Sequence, residues 1–276
     1  MSGTIATITE LNIYPVKSCR GIALQSAQLT ATGLAHDRQW MFVNAQGRFV
    51  TQRELPQLAL VECALESEHL TLLAPGVAPL RLPLAPPDAE VEVTVWRDRC
   101  NALDEGDEAA KWISRVLAKE HRLVRFDPLC RRTSAPEWTA GAAALNQFSD
   151  GFPILVISQA SLNDLNGRLT RPLPMNRFRP NIVVDGLDAY GEDRVHEFLG
   201  EQVCLRVVKP CTRCKITTTN QLTGEVEGDE PLRTLKGYRW SDDLMGVTFG
   251  QNVIIAAGQG RELRRGQILE ITKRMV

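Results

Sequence analysis

What most constrains this chain is its rhythm: short stretches that alternate apolar and polar residues, broken every few positions by Pro, Gly or a charge. TIATITELNIYPV alternates, and QWMFVN and RFVTQ flank a turn at Ala45-Gln46-Gly47 and read as a hairpin. LALVECALE, HLTLLAP, LRLPL and VEVTVW continue the pattern. Further on, FPILVIS reads as a buried strand, and NIVVD, QVCLRVV, KITTT, VTFGQNVIIAA and QILEIT as more strands. EAAKWISRVLAKE reads as a helix capped by Asp107, with Ala110, Ile113, Val116 and Leu117 on one face. QASLNDLNGRL is a second helix, with Ser158 or Ser161 near its start, and DPLCRRTSAPEWTAGAAALNQ lacks a period and reads as a loop. About a dozen strands with two or three helices predict a β-rich α+β protein built around barrel-like sheets. The alternation of strand and helix that a Rossmann or TIM fold needs is missing. The change of character near 125–150 predicts a boundary, with segments 1–125 and 126–276.

The whole-chain balance narrows the function classes. A net charge of -1 gives no reason to expect nucleic acid or a membrane as partner. No apolar run approaches the roughly 18 residues of a spanning helix, and MSGTIATITELNIYPV has no basic leader. Seven cysteines, at 19, 63, 100, 130, 204, 211 and 214, are too scattered for a secreted disulfide scaffold, so the expected compartment is a reducing cytoplasm.

KPCTRCKITTT places Cys211 and Cys214 three apart. A structural zinc needs four ligands, but the other cysteines and the histidines at 36, 69, 121 and 196 are singletons. A thioredoxin-type disulfide needs its first Cys at a helix start, and Lys215 to Thr219 reads as strand. Both thiols could simply pack as small apolar groups. Lys209, Arg213 and Lys215 weigh against that, because cationic neighbours stabilise a thiolate suited to a soft metal or an anionic cofactor. YPVKSCRG (Lys17, Ser18, Arg20), HDRQW (Arg38) and MNRFRPNIVV (Asn176, Arg177, Arg179, Asn181) repeat the theme. Each alone is an ordinary solvated turn; together they could cradle a phosphate and a polar heterocycle.

YPVKSCRG, GLAHDRQWMFVN with GRFVTQRELPQLALV, NRFRPNIVV, KPCTRCKITTT with its TGE, EPLRTLKGYR and FGQNVI, in this order, resemble the MOSC family. The resemblance spans residues 5 to 272 and is nearest the branch that holds the YcbX type and the mitochondrial amidoxime-reducing components. It implies a MOSC N-terminal β-barrel-like domain packed on a MOSC β-barrel domain with a few helices. It implies a molybdenum pyranopterin cofactor with Cys214, the second cysteine of CxRC, as metal ligand and catalytic residue. Lys17, Ser18, Arg38, Arg179 and Asn181 would hold its phosphate and pterin, with Asp150 and its loop FSDGFP, and Arg177 and Arg213 complete the basic set. Cys211 would pack or support its loop, and Cys19 would stand beside the cofactor without a role.

The implied activity is reduction of small N-hydroxylated compounds, namely amidoximes, hydroxylamines and N-hydroxylated nucleobases, with the oxygen passing to molybdenum. The C-x4-C-x2-C run of a ferredoxin-like domain is absent, so no iron–sulfur cluster is expected in this chain. Electrons would come from an external ferredoxin or flavin reductase. A second reading is a carrier of molybdenum cofactor or sulfane sulfur, since MOSC domains also occur fused to cysteine desulfurases. A pyridoxal phosphate site is not expected, because the transferase domain with its Schiff-base lysine is missing. The fold should place Cys214 at the floor of a pocket between the two sub-domains, facing Lys17, Arg38 and Arg179.

Overall fold

The computed structural model describes residues 4–274. Residues 1–3, part of the start expected to carry no basic leader, and residues 275–276 lie outside the described ones.

The alternating strands close on one another. Seven form a barrel in the order Ile154–Ser158, Ile182–Asp185, Ile5–Ile13, Ile268–Lys273, Val195–Leu199, Cys204–Thr212 and Gly246–Ala257, and the last pairs back onto the first. Closure removes the free edges that apolar strands would otherwise offer to another chain. Ile8, Leu29, Phe198, Leu205 and Val253 fill the interior at no more than 1 % exposure. Each contributes roughly 1.5–3 kcal/mol by leaving water. One pair is parallel, Ile154–Ser158 with Ile182–Asp185, and the helix Gln159–Arg168 supplies the crossover that parallel neighbours require. Ser158 caps that helix, its hydroxyl accepting from the Ser161 N–H at 3.3 Å.

A four-stranded sheet stands beside the barrel: Trp40–Val43, Arg122–Phe126, Asp98–Asp104 and Glu90–Val95. The helix Gly106–Leu117 packs nearby through Ala109, Trp112, Ile113 and Leu117. Asp107 does not cap this helix. The N-cap position is Glu105, whose carboxylate turns inward to Arg125 at 2.7 Å and to the Trp40 indole at 2.6 Å. Asp107 lies in the first turn, paired with Arg122. The expected loop after Phe126 is irregular apart from one turn, Pro136–Thr139.

A boundary between residues 125 and 126 falls inside the strand Arg122–Phe126. The barrel also draws Ile5–Ile13 from the first segment, pairing Leu11 with Ile182 and Ala6 with Leu269. The barrel thus draws strands from both sides of that boundary. This crossing also carries the loop after Ile13 to the junction of barrel and sheet, where Val16 bridges to Trp40.

Candidate functional site

A cavity at that junction is lined by Lys17, Ser18, Arg38, Asp150, Arg179 and Cys214, among others. Its volume is about 140 Å³, enough for a phosphate-sized anion. A larger ligand would extend into the open cleft. Ser18, Arg38 and Arg179 all hold positive φ, at 68°, 48° and 56°. Non-glycine residues in the left-handed region are uncommon, and three around one cavity mark a site where surrounding contacts override local preference.

Those contacts are explicit. Tyr14 lies between two guanidinium groups, with the Arg38 carbon 4.3 Å and the Arg179 carbon 4.1 Å from its ring centroid. Its hydroxyl donates to the Pro180 carbonyl, and burial pushes its pKa up to about 12, so it stays protonated. Arg38 donates to Asp37 at 2.6 Å, to Asn181 Oδ1 at 3.0 Å and to the Arg179 carbonyl at 3.2 Å. Arg179 donates to the Cys19 carbonyl at 2.7 Å, and burial lowers its pKa to about 10, leaving it cationic at neutral pH. Asn181 lines the cavity with its amide already committed. Its Oδ1 accepts from Arg38 and from the Leu155 N–H, and its Nδ2 donates to the Asn12 carbonyl at 3.2 Å. Asn181 thus braces Arg38.

Lys17 donates to the Phe148 carbonyl at 2.7 Å and to Asp150 Oδ1 at 2.5 Å. Burial lowers its pKa to about 8, partly opposed by Asp150. Burial raises the Asp150 pKa, but the Lys17 ammonium outweighs that and holds it well below the usual carboxylate range. A bound anion favours the ammonium form, so anion affinity should fall as pH rises through about 8. The measurement is retention of an anionic cofactor through gel filtration between about pH 7 and 9.5, where wild type should lose it and Lys17→Arg, charged throughout, should not. Linkage to folding runs the other way. Below about 8 the buried ammonium carries its full cost, and that cost is relieved as pH rises toward the ordinary lysine value.

Cys214 presents its sulfur to the cavity beside Arg53, whose Nη1 donates to Sγ at 3.3 Å. KITTT is not a strand. Lys215–Thr218 form a 3-10 turn, because the Thr217 and Thr218 hydroxyls donate back to the Cys214 and Lys215 carbonyls at 3.0 and 2.8 Å. Arg213, expected around Cys214, instead donates to Cys211 Sγ at 3.0 Å and to the Phe178 carbonyl at 2.6 Å. Cys211 packs against the apolar cluster around Phe178 and Phe249. Cys19 takes part through its backbone: its thiol is buried among Val16, Trp40 and Leu58.

Arg177 is not at the cavity. The 3-10 turn Met175–Arg177 and the left-handed Arg179 turn the two side chains apart, and Arg177 pairs with Glu227 in a separate groove. Lys209 stacks on Trp138, 4.7 Å from the ring centroid, and does not line the cavity. Three residues went unread in the sequence. Arg53 reaches Cys214 from TQREL, Trp96 donates from the hairpin between Val95 and Asp98 to Asp150 at 3.1 Å, and Arg132 organises the loop before Asp150. Arg132 donates to the Gln147 and Ser149 carbonyls and to Asp98, tying hairpin and loop together. Only the clustering of Arg and Gln in TQRELPQ hinted at the first.

The donor set fits an anionic cofactor that brings most of its metal's ligands. Arg53 Nη2, Arg179 Nη2 and Arg213 Nε are buried donors without a partner, a costly state that an anion would relieve. Among the described residues no group of three or more His, Cys, Asp or Glu could hold a bare ion. A cysteine sulfur beside a cationic cradle suits a metal that arrives already ligated.

Residues 5–120 match the MOSC N-terminal beta barrel domain, and residues 145–270 match the MOSC domain. Mitochondrial amidoxime-reducing component 1 of Mus musculus is 39 % identical over 256 residues, covering 90 % of this chain and 75 % of that protein. Its Homo sapiens counterpart is 37 % identical over 260 residues, covering 90 % and 76 %. Mitochondrial amidoxime reducing component 2 of Rattus norvegicus is 37 % identical over 249 residues, covering 86 % and 74 %. These names place the relatives in mitochondria and overturn the cytoplasmic expectation. No helix among the described residues is long and apolar enough to cross a membrane.

Proposed function

From the premise that this chain belongs to the MOSC family, we propose that it is a molybdenum-cofactor-dependent reductase of N-hydroxylated compounds, fed by a separate electron donor. The observation that carries the reading is the Cys214 sulfur at a cavity also lined by Lys17, Arg38, Arg179 and Arg213, two of which hold unpartnered guanidinium donors. The bound cofactor supplies the acceptance of oxygen from an N–O bond and the two electrons that cleave it. The protein supplies the rest. Cys214 ligates the metal; Lys17, Ser18, Arg38 and Arg179 hold the anionic part, Lys17 kept in place by Asp150; Asn181 and Tyr14 keep the two arginines at their angles. Arg53 and Arg213 bring positive charge beside the two sulfurs.

The test is expression in a host that makes the cofactor, followed by metal analysis and a benzamidoxime assay with an artificial electron donor. About one molybdenum per chain with benzamidine formed supports the reading. Molybdenum without turnover moves it to the carrier class, and no molybdenum from a cofactor-rich host ends both. The relatives named as amidoxime-reducing components favour turnover.

A further inference from the structure

Trp96 is a large aromatic side chain that borders the site through Asp150 and Arg53 and still meets solvent. It is 47 % exposed, in a hairpin tip with φ 59°, a conformation that bulky residues avoid. Three contacts hold it there. The indole Nε1 donates to Asp150 at 3.1 Å, the Arg53 guanidinium lies 4.4 Å from the ring centroid, and Phe49 packs at 5.2 Å. Arg132 fixes the hairpin from behind through Asp98. The same Arg53 donates to Cys214 Sγ, so a single guanidinium separates the indole from the sulfur. The cavity lining is mixed, with Lys17, Arg38 and Arg179 beside Phe152 and Phe178, and Trp96 extends its aromatic part at the rim.

Folding alone does not explain this arrangement. An exposed indole in a left-handed conformation contributes little burial, and its ring could rotate away were it not tied to Asp150 and Arg53. A rigid, anchored aromatic surface about half open to solvent is what a flat, π-rich ligand packs on. The charged cradle next to it takes an anion, so the ligand for the aromatic edge is the other partner in the reaction. We infer that Trp96, held by Asp150 and Arg53, is the substrate platform of this site and selects planar, conjugated N-hydroxylated compounds, such as aryl amidoximes and N-hydroxylated heterocycles, over small hydroxylamines.

The inference rests on the reductase reading, and the test separates the two. Benzamidoxime and hydroxylamine are reduced by loaded wild type, Trp96→Ala and Trp96→Phe, with molybdenum measured per chain. Benzamidoxime binding to each is also measured by calorimetry without an electron donor. In Trp96→Ala the ratio of kcat/KM for benzamidoxime to that for hydroxylamine should fall about tenfold, the change that about 1.4 kcal/mol produces. The loss should lie in KM, the calorimetric Kd should weaken in parallel, and Trp96→Phe should restore most of both. If wild type reduces both compounds and Trp96→Ala, with equal molybdenum, leaves the ratio and the Kd within about twofold, the platform is overturned while the reductase reading stands. If wild type reduces neither compound, the reductase reading falls and takes the platform with it.

Discussion

Replacing Asn181 by leucine is expected to destabilise the protein by about 2–5 kcal/mol and to strip it of cofactor. The side chain is 1 % exposed and sits where three segments meet. Its Oδ1 serves both Arg38 and the Leu155 N–H, and its Nδ2 serves the Asn12 carbonyl. Leucine is close in volume but leaves the Leu155 N–H and the Asn12 carbonyl buried and unpaired, each at a cost of about 1–3 kcal/mol. Arg38 would keep Asp37 and the Arg179 carbonyl but lose the contact that fixes its reach into the cavity. Thermal unfolding should shift down by roughly 5–15 °C for a chain of this size. Molybdenum per chain should fall even well below the melting temperature. A variant that melts early yet loads fully would show that Asn181 supports the fold and not the cradle.

Much of the architecture could be read from apolar patterning. FPILVIS, NIVVD, QVCLRVV, VTFGQNVIIAA and QILEIT all become barrel strands, some as alternating segments and FPILVIS and NIVVD as short continuous apolar runs buried on both faces. Ile5–Ile13 was readable as a strand but not as a barrel wall, since its partners, Ile182–Asp185 and Ile268–Lys273, are far away along the chain. Of the site, Lys17, Ser18, Arg38, Asp150, Arg179 and Cys214 meet at one cavity. They do so because each stands in an irregular loop at the end of a strand, where folding brings polar residues together. Arg177 was counted into the basic set because it stands two residues from Arg179. The left-handed Arg179 turns the two side chains apart, and no pattern in NRFRPN announces it. Arg53 was hidden for the opposite reason. It follows a hairpin in ordinary-looking polar sequence, and only the approach of Thr51–Arg53 to the Cys214 loop reveals it. Gln52 and Gln221 cement that approach by exchanging amide hydrogen bonds at 3.1 and 2.9 Å.

The same geometry distinguishes two cysteines that the sequence presents as a pair. Both line the cavity, but Cys211 is engaged by Arg213 and packs on an apolar cluster, whereas Cys214 is engaged by Arg53. Their replacement should therefore differ sharply. Cys211→Ala removes a small packed group and should cost about 1 kcal/mol of stability, with turnover retained. Cys214→Ala removes the sulfur proposed as the metal's protein ligand and should also leave folding intact, because both side chains are only partly buried.

The decisive measurement is benzamidoxime reduction by Cys214→Ala, with molybdenum quantified in the same sample and Cys211→Ala run alongside. The expected result is a loss of at least about a thousandfold in kcat/KM for Cys214→Ala, close to 4 kcal/mol of lost transition-state stabilisation, with Cys211→Ala active. Wild-type turnover by a Cys214→Ala sample that carries one molybdenum per chain would contradict the assignment of Cys214, and with it the proposed function of this cavity.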